Sequence, residues 1–215
     1  LSPHANYEVS YTFGQSKITS DYVNDVFDDR FLAAIDAVRG PDGQITCRAN
    51  LDPNWLPNQP YTDRYTGAPA TFAPGECVPL NLFGDGAPSQ AALDFVRANT
   101  RDRSRLRQHV VTASLAGDFG KYFELPGGPI GFALGGEYRK EESRFVPDEL
   151  AAQGLTFTNA LGREEGEFDV KEAFGEVSVP LLRNVPFARR LEFGAAVRLS
   201  DYSTIGRTDT WKVDG

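Results

Sequence analysis

Val111-Thr-Ala-Ser-Leu-Ala-Gly-Asp-Phe119 and Phe132-Ala-Leu-Gly-Gly-Glu-Tyr-Arg139, within residues 106–145, decide how this chain is read. In the first, Val111, Ala113, Leu115, Gly117 and Phe119 share one parity, and Thr112, Ser114, Ala116 and Asp118 take the other. In the second, Phe132, Leu134, Gly136 and Tyr138 alternate with Ala133, Gly135, Glu137 and Arg139. Successive side chains of a strand point to opposite faces, so each segment has an apolar side and a small or polar side. The connection Gly120-Lys-Tyr-Phe-Glu-Leu-Pro-Gly-Gly-Pro129 holds two Pro and three Gly, which suits a reversal and not a continued ladder. The pair reads as a β-hairpin with one greasy face.

Working outward, the same alternation returns. Tyr7, Val9, Tyr11 and Phe13 oppose Glu8, Ser10 and Thr12. Ala173, Gly175, Val177, Val179 and Leu181 oppose Glu172, Phe174, Glu176 and Ser178. Leu191, Phe193, Ala195, Val197 and Leu199 oppose Glu192, Gly194, Ala196, Arg198 and Ser200. Six strands are expected, near 5–19, 105–120, 130–146, 167–181, 191–203 and 208–214. Their connections run long, short, long, short, short.

The first long connection begins near Asp21. Phe31, Leu32, Ile35 and Val38 fall at helical intervals behind Asp28 and Asp29, so the spacing predicts a helix ended by Gly40-Pro41. Pro41-Asp-Gly43 reads as a turn. Residues 50–79 carry six prolines, which excludes long regular structure there. A second short helix is expected over 89–98, with Ser89 as its N-cap. A connection of this length is usually functional or a subdomain of its own. The second long connection spans 147–166.

The chain has 215 residues, enough for one domain or two small ones. Twenty-two basic residues against thirty acidic ones leave a net charge of −8, the wrong sign for a nucleic-acid binder. With mean hydropathy −0.37, no window approaches the roughly 20 apolar residues of a membrane-spanning helix, although barrel strands hide their apolar face by alternation. Cys47 and Cys77 form a disulfide in an oxidising compartment or remain two buried free thiols. A bond would restrict the unfolded chain by roughly 3 to 4 kcal/mol in the entropic model. With no second cysteine pair and only His4 and His109, a zinc site is not expected.

No catalytic constellation appears, and no enzyme or cofactor is expected. His109 lies in a strand with no Ser or Cys nucleophile placed near it by a motif. Gly127-Gly-Pro-Ile-Gly131 lacks the Lys-Ser/Thr and the following helix of a phosphate loop. Asp21, Asp25, Asp28 and Asp29 lack calcium-loop spacing and read as helix-terminal charge. In the large loop, Trp55, Tyr61, Tyr65 and Phe72 either stack on a ligand or pin an irregular loop together. The chain carries no initiator Met or signal peptide, and its last residues fall inside a strand pattern, so a piece of a larger protein is expected.

Cys77-Val-Pro-Leu-Asn-Leu-Phe-Gly84, Glu124-Leu-Pro-Gly-Gly-Pro-Ile-Gly-Phe-Ala-Leu-Gly-Gly-Glu-Tyr-Arg139, Phe168-Asp-Val-Lys-Glu-Ala-Phe-Gly-Glu-Val177 and Ser200-Asp-Tyr-Ser-Thr-Ile-Gly206 resemble TonB-dependent outer-membrane receptors of Gram-negative bacteria. The resemblance covers most of the chain in order, without a plug, a TonB box or a closing strand. It implies a mainly β fold: antiparallel up-and-down strands forming a segment of a transmembrane β-barrel, with a long loop carrying two short helices. Residues 1–215 would be part of a barrel wall, with 21–104 and 147–166 as extracellular loops. The implied partners are the remaining barrel strands and plug of the same receptor, TonB, outer-membrane lipid and a small nutrient such as a ferric siderophore, cobalamin, haem or oligosaccharide. The implied location is the outer membrane. Glu137, Arg139, Glu192 and Arg198 would face the lumen, or else form a mutually paired polar face. The competing expectation is a soluble, secreted β-sandwich binding module whose disulfide-tied loop is its recognition surface.

Overall fold

A computed structural model describes residues 5–52, 55 and 70–215. The elements in chain order are β1 (Ala5–Val26), α1 (Asp28–Ile35), β2 (Ala37–Arg39), β3 (Ile45–Cys47), α2 (Gln90–Val96) and β4 (Arg97–Asp118). They continue with β5 (Glu124–Leu125), β6 (Gly128–Pro129), β7 (Gly131–Val146), α3 (Glu149–Ala152), β8 (Glu164–Val185), β9 (Ala188–Tyr202) and β10 (Gly206–Asp214). Six strands form one sheet in the order β1-β4-β7-β8-β9-β10, and β2-β3 and β5-β6 are two-stranded ribbons. The β9–β10 and β8–β9 pairs are antiparallel: Gly206 opposes Tyr202 and Asp214 opposes Gly194, while Val170 opposes Tyr202 and Val185 opposes Ala188. A register shift between Pro180 and Leu182 marks a bulge in β8.

This arrangement corrects the expectation of a transmembrane barrel segment. Among the described residues the six-stranded sheet is open, and β1 and β10 are its edges, each paired on one side only. Alternation fixes which residues share a face, but any one-faced antiparallel sheet shows it, so it cannot signal closure. The described residues also lack the second large sheet of a sandwich.

The strands reach further than their apolar alternation does. β1 continues to Val26 and β4 starts at Arg97 because polar cross-strand pairs take over: the Arg101 guanidinium donates to the Asp21 carboxylate, and Asn99 Oδ1 accepts from the Asn24 N–H at 3.0 Å. The first helix is shorter than its spacing suggested. It stops at Ile35, and Val38 belongs instead to β2, which pairs with β3 around the turn at Gly43 (φ +79°). α2 begins beside Ser89, whose side chain accepts from the Ala92 N–H at 3.2 Å.

The chain divides into two compact units. One comprises Leu1–Ser16, Arg105–Ser143 and Glu165–Gly215; the other comprises Lys17–Ser104 and Arg144–Glu164. The buried hydrophobic cluster lies in the second unit: Ala33, Ala34, Cys47, Ala49, Trp55, Phe72, Cys77, Leu80, Ala92 and Val96. In the first unit the apolar residues instead line one exposed sheet face, among them Tyr11, Leu134, Val197 and Trp211.

Candidate functional site

In the second unit, small residues let the backbone pack closely. Ala33 and Ala34 on α1 and Ala92 on α2 are fully buried, and the Leu80 N–H donates to the Ala34 carbonyl at 2.9 Å. The disulfide joins Cys47, at the end of β3, to Cys77, with Cα atoms 6.0 Å apart. Trp55 stands 6.3 Å from Phe72, which meets Phe95 edge-on at 5.4 Å. The Trp55 indole N–H donates to Asp36 Oδ2 at 3.1 Å, so its polar edge is satisfied as the ring is buried.

A buried carboxylate closes this packing. Asp29 accepts from the Thr71 N–H at 2.6 Å, from the Thr71 hydroxyl at 2.8 Å and from the Arg30 N–H at 2.8 Å. Arg30 reaches the same segment through Nε to Thr71 Oγ1 at 2.8 Å, while its guanidinium lies 4.3 Å from the Phe27 ring centroid. Charge buried with several donors is held firmly. The neighbouring Asp28 carboxyl is raised above its ordinary range by burial first, and then by Asp25 and Asp29.

Directly after the anchored Leu80 the chain turns outward. The Phe83 N–H donates to Asn81 Oδ1 at 3.0 Å, Gly84 takes φ +106°, and the Ala87 N–H donates to the Gly84 carbonyl at 3.3 Å. Phe83 is left 91% exposed at the apex, beside exposed Leu82. An Asx turn and a positive-φ glycine thus hold an aromatic ring in solvent. Solvent exposure here is built by local hydrogen bonding, on a loop carried by a disulfide-braced core.

In the first unit the polar sheet face carries a series of ion pairs. Arg139 Nε stands 3.7 Å from Glu137 and 3.8 Å from Glu141, beyond hydrogen-bond distance, and it is buried without a hydrogen-bond partner. Arg198 bonds Glu172 at 3.1 Å, Glu172 also accepts from Ser200 at 2.7 Å, and the guanidinium lies 5.4 Å from the Phe174 ring centroid. Glu192 accepts from the Ser178 hydroxyl and from Arg190, and the Ser178 bond leads in holding its carboxyl below the ordinary range. On the other face, past Tyr138, Lys140 bridges Glu142 at 3.1 Å and Glu167 at 3.0 Å. Near these residues a cleft of about 620 Å³ is lined by Gln108, Glu141, Ser143, Phe168 and Thr204, among others. His109 meets the Phe13 ring at a tilt, 4.9 Å between centroids, and bonds the Tyr11 hydroxyl through Nδ1 at 2.8 Å, which ties β4 to β1.

The residues singled out in the sequence therefore separate. Trp55 and Phe72 come together, 4% and 7% exposed, as packing of the second unit. Tyr61 and Tyr65 lie outside the described residues. Glu137 and Arg139 share one part of the polar face, and Arg198 and Glu192 make separate pairs with Glu172 and Arg190. Sequence reasoning missed the Asp29-Arg30-Thr71 knot and the Leu82-Phe83 apex. Asn81 two residues before Phe83, followed by Gly84, was the available signal for the second. Among the described residues, no group of three or more His, Cys, Asp or Glu is placed to hold a metal ion.

No helix among the described residues is long and apolar enough to cross a membrane. No protein-family model, no curated protein and no solved structure matches this chain. With the open sheet, this overturns the likeness to TonB-dependent receptors. The phrases that carried it combine strand alternation with Pro-Gly and Asx turns, chemistry that β-hairpins of many kinds share. Energised nutrient uptake, the plug, TonB and outer-membrane lipid as partners, and the outer-membrane location are corrected along with it.

Proposed function

We propose that this chain is a binding module in which the disulfide-tied second unit holds the recognition surface. The carrying observation is the Leu82-Phe83 apex: an aromatic ring 91% exposed, fixed by its own turn, immediately after the buried Leu80. Pre-organising an aromatic anchor reduces the ordering cost of binding, and such anchors dominate recognition energies. The apex fits an apolar or aromatic side chain on a peptide or protein partner. The Cys47–Cys77 bond fits work in an oxidising compartment. The reading assigns no catalytic step to the chain.

The test pans a phage-displayed random peptide library on the immobilised full chain. Enriched clones are expected to lose at least about tenfold in affinity on Phe83→Ala, equivalent to roughly 1.4 kcal/mol, and to be unaffected by Tyr122→Ala in the first unit. Failure to enrich any clone, or equal binding of the clones to Phe83→Ala, sinks the proposal.

A further inference from the structure

The apolar face of the first unit is the largest feature that the binding proposal leaves unused. Trp211 opposes Val197, and Val197 opposes Gly175. A Cβ on Gly175 would meet Leu134 Cδ2 at 3.3 Å, so these residues share a face across four strands. Phe132 continues it to Phe119 at 5.0 Å, and His109, of Phe119's parity on β4, continues it to Phe13 on β1. Every alternate residue on this face over 7–13, 111–119, 132–138, 173–179 and 191–199 is uncharged. The face is nevertheless open to solvent, with Tyr11 at 62%, Leu134 at 52% and Trp211 at 75% exposure. Monomers rarely leave apolar patches of more than a few hundred Å² uncovered.

We propose that a second copy of this chain covers it, the two sheets packing face to face about a two-fold axis. Two arguments select this occupant. Within those runs the face carries no charge, and its charged residues, Lys140 with Glu142 and Glu167 and, on β10, Arg207 and Asp209, lie beyond them, so a second copy offers the same charge-free chemistry, and an isologous contact requires such self-complementarity. The area also fits. The charge-free runs, three to nine residues long on each of six strands, span on the order of 670 Å² per copy at about 3.3 Å rise and about 4.8 Å spacing. Stable interfaces bury about 600 to 1,000 Å² per partner. Twisted sheets of this kind pack about 10 Å apart with strands roughly 30° from parallel, and the pair forms the sandwich that one copy lacks. This inference is independent of the Phe83 recognition surface.

The test is size-exclusion chromatography with light scattering on the full chain, in buffer and in mild detergent, with sedimentation equilibrium over a dilution series. The expected mass in buffer is twice 23.6 kDa. Leu134→Glu and, separately, Val197→Lys are expected to give monomers with the circular dichroism of the parent, while Glu137→Gln on the other face remains dimeric. Should either face variant fail to fold, the dilution series still reads the dimer of the parent directly. A parent that is monomeric at tens of micromolar overturns the proposal. So does a monomer that gains a belt of detergent mass, which assigns the face to acyl chains. Dimers that survive both face substitutions also overturn it, because pairing then runs through the β1 or β10 edge.

Discussion

Reduction of the Cys47–Cys77 bond gives the most quantitative check on how the second unit is held. The bond closes a loop of sequence separation 30. The chain-entropy relation gives about 12 cal/mol/K for such a loop, or about 3.6 kcal/mol at 25 °C. Both sulfurs are buried, Cys47 fully, so the reduced thiols keep most of their packing and the comparison isolates the cross-link. The chain has two tryptophans, and Trp211→Phe leaves Trp55, buried against Phe72 in the second unit, as its single tryptophan. Urea unfolding of that variant, with and without a phosphine reductant, then reads the bond directly. With a denaturant slope of about 1.5 kcal/mol/M, the midpoint falls by about 2.4 M on reduction. A Cys47→Ala/Cys77→Ala chain falls by at least as much, because it also loses two buried sulfurs. A shift below about 0.5 M would refute the reasoning, since the unfolded loop would then already be confined by other means.

Three further outcomes follow from particular contacts. Asp29→Ala strands the Thr71 N–H and hydroxyl and costs about 3 kcal/mol of stability, read as a lowered urea midpoint of Trp55 emission; an unchanged midpoint would mean water replaces the carboxylate. Gly135→Ala places a methyl 2.4 Å from the Phe174 ring and 2.9 Å from the Ala113 carbonyl; the ring can swing but the backbone cannot, so about 1 to 3 kcal/mol is lost in thermal unfolding. Ser178→Ala removes the leading cause of the depressed Glu192 titration, which then moves up toward 4.5 in a carbon-detected NMR titration. The sign is that of a depressed carboxyl: its contribution is present above 4.5 and is lost as pH falls through the folded value, so the variant is less sensitive to acid in that range.

Strand order and facing were legible in the sequence because period-two alternation is local and strong at Val111–Phe119 and Leu191–Leu199. Strand ends were not: Asp21 and Arg101 continue the ladder by ionic pairing, a contact between residues 80 apart that no local pattern shows. The helix at Asp28 was legible from spacing, but its end was not, because Val38 serves β2 as well as it would serve a helix. Ser89 was readable as a cap because capping is chemistry within three residues. The Asp29 knot was hidden for the opposite reason, since its partner Thr71 lies 42 positions away. The likeness to a transmembrane barrel failed because hairpin phrases describe neighbours in a sheet and say nothing of what lies beyond its edges.

The strand order also sets the order of events when the chain folds. β8 and β9 meet across the two residues 186–187, whereas β1 reaches β4 across the seventy residues 27–96. Loop-closure entropy disfavours the second pairing by about 3 kcal/mol relative to the first, if the intervening chain is still flexible. The β8–β9 hairpin is therefore set to nucleate the sheet, and β1 to dock last, after the segment behind it has become compact. Oxidation of Cys47 and Cys77 shortens that flexible span, so an oxidant acts on this chain as an accelerator of its slowest pairing as well as a brace on the finished fold.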